Sequence, residues 1–91
     1  MADEQLKEEK IYVFPAPPSA EQDNTLLKPL LDKIKAHGKK LELLISPDRG
    51  IDIMILEDLA TKIALPFIET PDGARYYGLH SIEKYVTSLN N

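Results

Sequence analysis

"LPFIETPDGARYYGLHSIEKYV", residues 65–86, joins two kinds of periodicity with a glycine. Phe67-Ile68-Glu69 and Arg75-Tyr76-Tyr77 are short runs of β-favouring residues on either side of Pro71-Asp72-Gly73, so residues 66 to 78 predict a hairpin. Alternation on such a hairpin turns one of Tyr76 and Tyr77 inward and the other outward. Pro66 suits the first position of a strand, where its missing N–H interrupts no ladder. After Gly78 the period changes. Ile82, Tyr85, Val86 and Leu89 recur at i, i+3, i+4 and i+7, the signature of an amphipathic terminal helix.

Upstream the chain alternates strand and helix. "IYVF", residues 11 to 14, is β-branched and aromatic and is stopped by Pro15, which predicts a buried strand. "FPAPPSAEQDN", residues 14 to 24, is then a proline-rich junction running into a helix. From Ser19 to His37, Leu26, Leu27, Leu30, Leu31 and Ile34 form one helical face, and Gly38 is a natural stop. Pro29 lies inside this segment, so a kink there or a start near Asn24 or Thr25 is expected. "LELLIS", residues 41 to 46, predicts a second strand, followed by the turn-like "SPDRG". "IDIMILEDLATKIA" from Ile51 fits two patterns: Ile51, Ile55, Leu59 and Ile63 keep a helical spacing, while Ile51, Ile53 and Ile55 alternate as in a strand. The good helix formers favour a helix from about Ile53 to Ile63. The order β-α-β-α-β-β-α gives an α/β domain, a four-stranded mixed sheet with helices on both faces.

The chain has 91 residues, enough for a single small domain. We assign residues 1–9 to a flexible charged lead-in and residues 10–91 to that domain. A net charge of −4 with scattered basic residues argues against nucleic acid as a partner, since phosphate binding needs a concentrated basic face. No apolar run approaches a membrane span, and "MADEQLKEEK" lacks the apolar stretch of a signal peptide, so the default expectation is a cytoplasmic protein with no membrane partner. The absence of cysteine removes disulfide and thiolate chemistry. Asp48, Asp52, Glu57 and Asp58 match no calcium-loop spacing and are expected to be solvated turn and helix charges, so no metal is expected. His37 and His80 lack supporting ligands. His37 suits the end of a helix, and His80 a surface or groove-side donor.

The element order resembles the thioredoxin-like fold in its small glutaredoxin form. Three local features carry the resemblance: Pro66 at the start of the third strand in "ALPFIET", Gly78 before the last helix in "YYGLHSIEKYV", and the junction "VFPAPPSAEQ". Laid on the family's proline loop and Cys-x-x-Cys, that junction puts Pro17 at the loop proline, Ser19 at the first cysteine and Gln22 at the second. Residues 65–86 are also similar to the amino-terminal domain of glutathione transferases. The resemblance implies a cis Leu65–Pro66 peptide, with Leu65 facing a groove beside Ser19.

The departures from the family fall on its chemistry. Ser19 offers a hydroxyl, a weak nucleophile unless a base activates it, and no histidine adjoins it in sequence. From the residues alone, Ser19 and Gln22 make a Ser-x-x-Gln capping box, a role compatible with a lost cysteine position. Where glutathione transferases hold the glutamyl end of glutathione through a Glu/Gln-Ser pair, this chain has Gly78 and Leu79. Only a backbone contact beside Pro66 carries over.

With no recognisable catalytic constellation and no cofactor expected, the leading function is non-redox binding of a peptide or protein partner, or of a small ligand such as a glutathione-like one. The groove would comprise Pro17, Ser19, Gln22, Leu65, Pro66, Gly78 and Leu79. The alternatives are a glutaredoxin-like thiol-disulfide oxidoreductase whose cysteines were lost or mutated, and a structural or oligomerisation domain acting through a sheet edge or the tyrosine hairpin.

Overall fold

Pro15 removes a ladder donor immediately after the first apolar run, and strand β1 ends there, at Lys10–Phe14. The chain then turns through a 3₁₀ turn at Pro18–Ala20 into helix α1, Glu21–Ala36. Strand β2 (Lys40–Leu43), helix α2 (Gly50–Ala60), the hairpin of β3 (Phe67–Glu69) and β4 (Arg75–Tyr77), and helix α3 (Gly78–Leu89) follow. These elements belong to a computed structural model that describes residues 9–89. The lead-in at residues 1–9, apart from Glu9, and the terminal Asn90-Asn91 lie outside the described residues.

The strands form one mixed open sheet in the order β2-β1-β3-β4. β1 and β2 are parallel, with Ile11 opposite Leu41. β3 runs antiparallel to both neighbours, with Phe67 opposite Phe14 on one side and Tyr77 on the other. Because strand side chains alternate, this register sorts them into two layers. Ile11, Val13 and Ile68 are buried together with Leu27 and Ile34 of α1 and Ile82 and Val86 of α3. Tyr76 packs against this core and its ring lies 4.9 Å from that of Tyr85, tying β4 to α3. Opposite that layer, Phe14 stacks on Phe67 at 4.4 Å, and Phe67 lies 4.9 Å from Tyr77. That aromatic row spans three strands, a cross-strand stabilisation of the kind that fixes register. Tyr77 is the outward partner of the tyrosine pair, 38% exposed.

Several boundaries differ from expectation. α1 begins at Glu21 and runs unbroken through Pro29, rather than starting near Asn24 or Thr25. Pro29 is exposed, while Leu27 and Ile34 hold the two halves of the helix on one core. β2 stops at Leu43, before the end of "LELLIS". α2 is a helix as expected, but it starts at Gly50 and ends at Ala60. Its start is drawn back by Asp52, whose carboxylate accepts the Ser46 N–H at 3.0 Å and pairs with Arg49 at 3.3 Å. At its end, the N–H groups of Thr61 and Lys62 turn to the carbonyls of Asp58 and Leu59, a tightening that closes the helix. The expectation of a solvated Asp52 is not met: it is only 9% exposed, its carboxylate taken up by the Ser46 N–H and Arg49.

Candidate functional site

The register brings the proline junction, the Leu65–Pro66 turn and Gly78 to one end of the sheet. Phe14 is opposite Phe67 and Phe67 opposite Tyr77, so the segments that follow β1, precede β3 and follow β4 must meet there. The Leu65–Pro66 peptide is cis. Pro66 is fully buried, and its carbonyl accepts the Gly78 N–H at 2.8 Å. Gly78 has a φ of 86°, a left-handed conformation that glycine adopts without strain. A Cβ there would meet the Ala64 Cβ at an ordinary 3.7 Å. Backbone conformation, not space, therefore demands the glycine.

On the junction side, Pro17 and Ala16 are buried. Ala16 lies beyond the end of β1, so its buried backbone groups have no strand to pair with. Asn24 takes that place: its Oδ1 accepts the Ala16 N–H at 2.8 Å, and its Nδ2 donates to the Ala16 carbonyl at 2.8 Å. One side chain from the first turns of α1 thus clamps the loop. The sequence reasoning missed Asn24; the available signal was an amide placed inside a helix, where asparagine is otherwise disfavoured.

Ser19 does not cap α1. The residue preceding the helix is Ala20, and no side chain caps that end. Ser19 is instead held inside the 3₁₀ turn, closed by the Ala20 N–H donating to the Pro17 carbonyl at 2.8 Å. Its hydroxyl points outward and donates to Glu57 Oε1 of α2 at 3.0 Å. Gln22, the expected capping partner, is exposed. The capping box fails because the 3₁₀ turn inserts a tight backbone bond where the cap would stand.

Two hollows adjoin these segments. One, about 480 Å³, is lined by Pro18, Glu21, Asn24, Thr25, Lys28, Pro47 and Asp48, between the start of α1 and the loop after β2. The other, about 320 Å³, lies between α1 and α3, lined by Leu26, Leu30, Leu79, His80 and Glu83. Leu79 thus contributes to the second hollow and also packs against the core, and His80 is exposed beside it. Pro66 and Gly78 adjoin this end of the sheet directly, through Phe67 and Tyr77, while Ser19 is held by Glu57 of α2; Pro17, Ser19, Gln22, Leu65, Pro66 and Gly78 line neither hollow.

At the opposite end, the hairpin turn is a polar knot. The Thr70 hydroxyl donates to the Asp72 carboxylate, and the Ala74 N–H donates to the same oxygen at 3.3 Å. These donors, the hydroxyl first, hold the Asp72 carboxyl below its ordinary range. Burial, together with the charges of Tyr76 and Asp72, raises Tyr85. Among the described residues, no group of three or more His, Asp or Glu side chains is disposed to hold a metal ion. No helix of those residues is long and apolar enough to cross a membrane. Comparison with family models, curated proteins and solved structures finds no match to this chain.

Proposed function

We propose that the chain is a thiol-free thioredoxin-like module that binds an extended peptide or protein segment at the end of its sheet. In this reading α2 covers the face of the sheet opposite α1 and α3, and the site is formed by residues 15–22, Leu65–Pro66 and Gly78–Leu79. The observation that carries the proposal is the register Phe14–Phe67–Tyr77, which supports a single binding surface made from three segments distant in sequence. The Pro66 carbonyl and Gly78 N–H are already paired with each other, so in this reading an extended ligand meets the backbone of Leu65, which precedes the cis peptide.

Glu57 weighs against the redox alternative. A thiol replacing the Ser19 hydroxyl would lie beside a carboxylate that now sits 3.0 Å from it, and a neighbouring negative charge raises a thiol pKa rather than lowering it. The Ser19→Cys/Gln22→Cys variant is therefore expected to show no disulfide reductase activity; turnover with a depressed thiol pKa would favour a poised redox scaffold. Titration with glutathione and with extended peptides, followed by amide shifts, tests the binding site itself. Shifts should cluster at Ala16–Gln22, Leu65 and Gly78, and a cluster elsewhere would remove the assignment.

A further inference from the structure

The turn between β3 and β4 holds a reactive pair of residues inside its own hydrogen bonds. Asp72 is the chain's only aspartate followed by glycine, and no asparagine precedes one. An aspartyl side chain cyclises onto the next backbone nitrogen most readily when that residue is glycine, because no side chain hinders the approach. Asp72 and Gly73 are both exposed, and even a Cβ on Gly73 would meet nothing within 4 Å. The folded turn, however, engages both reacting groups elsewhere. The Gly73 N–H donates to the Thr70 carbonyl at 2.9 Å. Asp72 Oδ1 accepts from the Thr70 hydroxyl and from the Ala74 N–H at 3.3 Å. Thr70 is buried, and its own N–H donates to the Ala74 carbonyl at 2.8 Å, so the residue that holds the carboxylate is itself fixed. The same donors keep the Asp72 carboxyl below its ordinary range; Glu9, Lys39, Tyr76 and Tyr85 are the titratable groups lining the hollow beside it. Cyclisation needs the protonated acid, whose oxygen leaves as water, so an ionised and bonded carboxylate resists it.

We propose that Asp72–Gly73 is a site of spontaneous backbone isomerisation that the folded hairpin turn restrains, with the Thr70 hydroxyl as its principal latch. Opening of the turn frees the Gly73 nitrogen to attack Asp72 Cγ. An N–C bond forms, a carboxyl C–O bond breaks, and the oxygen leaves as water with the acid proton and the amide hydrogen. Water then reopens the resulting succinimide ring. Where it cleaves the bond between the Gly73 nitrogen and the Asp72 main-chain carbonyl, the chain runs on through Asp72 Cβ and Cγ as isoaspartate, with no change in mass. The added backbone carbon falls between Thr70 and Ala74. It displaces the Thr70 N–H from the Ala74 carbonyl and loosens the adjoining pair Glu69–Arg75 of β3 and β4. Short strands such as these, three residues each, depend on their turn for register.

Incubation of the full chain at mildly acidic pH and physiological temperature, folded or in guanidinium chloride, tests this, with isoaspartate located by electron-transfer fragmentation of the derived peptides. In denaturant, isoaspartate should accumulate at Asp72 faster than at any other aspartate. Folding should slow that rate by about tenfold or more, because reaction then waits on opening of the turn. Thr70→Val should raise the folded rate by about tenfold, the effect of losing a hydrogen bond to a charged group, and leave the rate in denaturant unchanged. Thr70→Ser keeps a hydroxyl and should stay within about twofold of the parent. The parent's ratio of denatured to folded rates needs no variant, so the restraint is tested even if Thr70→Val does not fold. Equal rates in the folded and denatured parent, earlier isoaspartate at another aspartate in denaturant, or a folded Thr70→Val chain as slow as the parent would each overturn the proposal.

Discussion

Asn24 and Ser19 lie five residues apart on the same junction, and their side chains carry very different weight. Asn24 answers both backbone groups of buried Ala16, so removing it strands a donor and an acceptor away from water. Asn24→Ala should cost about 1–3 kcal/mol, the range for leaving buried polar groups unpaired. Ser19 bonds Glu57 in the open, where water replaces a lost partner, and Ser19→Ala should cost less than about 1 kcal/mol. Urea midpoints measure both; equal losses would mean that the Ala16 clamp is not a structural tie. Asp72 carries a pH dependence. Its folded pKa is lowered, so its contribution to the hairpin is present above the ordinary carboxylate pKa, about 3.9. The contribution is lost as pH falls through the lowered folded value. Amide exchange at Gly73 and Ala74 should therefore accelerate on acidification through that window beyond the intrinsic trend, and Asp72→Asn should abolish the excess.

At the scale of an element, α1 shows how packing overrides local preference. Pro29 deprives the Thr25 carbonyl of its i+4 donor, and proline in a helix interior is disfavoured by about 3 kcal/mol relative to alanine. The helix continues through it because Leu27 precedes and Ile34 follows on the same core. With Pro29 exposed, Pro29→Ala removes the penalty without opening a cavity, and it should stabilise the fold by about 1–2 kcal/mol. Part of the gain is offset by the greater freedom of the unfolded chain. A thermal scan checks this, and destabilisation would mean that the helix needs a bend at Pro29 to follow the core. α2 is the converse case, a segment with strong local preference and little packing.

Across the whole molecule, burial is lopsided. The buried cluster joins α1, α3 and the sheet, whereas α2 contributes Leu56, wholly buried but outside that cluster. Regions with few buried apolar contacts open at lower free energy than the core. In dilute protein, amides of α2 should exchange well before those of α1 and α3. Leu56→Ala should cost about 2–5 kcal/mol and release α2 first. Uniform protection across the three helices would show instead that α2 unfolds only with the whole domain.

The order of elements was legible in the chain because its signals are local: the change from hairpin to helical period at Gly78, the stop at Pro15, the leucine face of α1. The same locality explains the errors. Whether Ser19 caps a helix depends on a 3₁₀ turn that spacing cannot distinguish from a cap, and on Glu57, 38 residues away. Asp52 looked solvated because its charge is visible in the chain, while the Ser46 N–H that it satisfies faces it only once the loop folds. The candidate groove is legible in the chain as a set of residues, and its shape is not: cross-strand register sets the segments next to Phe14, Phe67 and Tyr77 at one sheet end, whereas Ser19 is held by Glu57 and Leu79 lines a hollow between α1 and α3. Periodicity marked α2 as apolar, but which of its faces remained uncovered followed from its neighbours alone. Local sequence sets backbone preference residue by residue, whereas burial and hydrogen-bond partnership are properties of contacts between segments far apart along the chain.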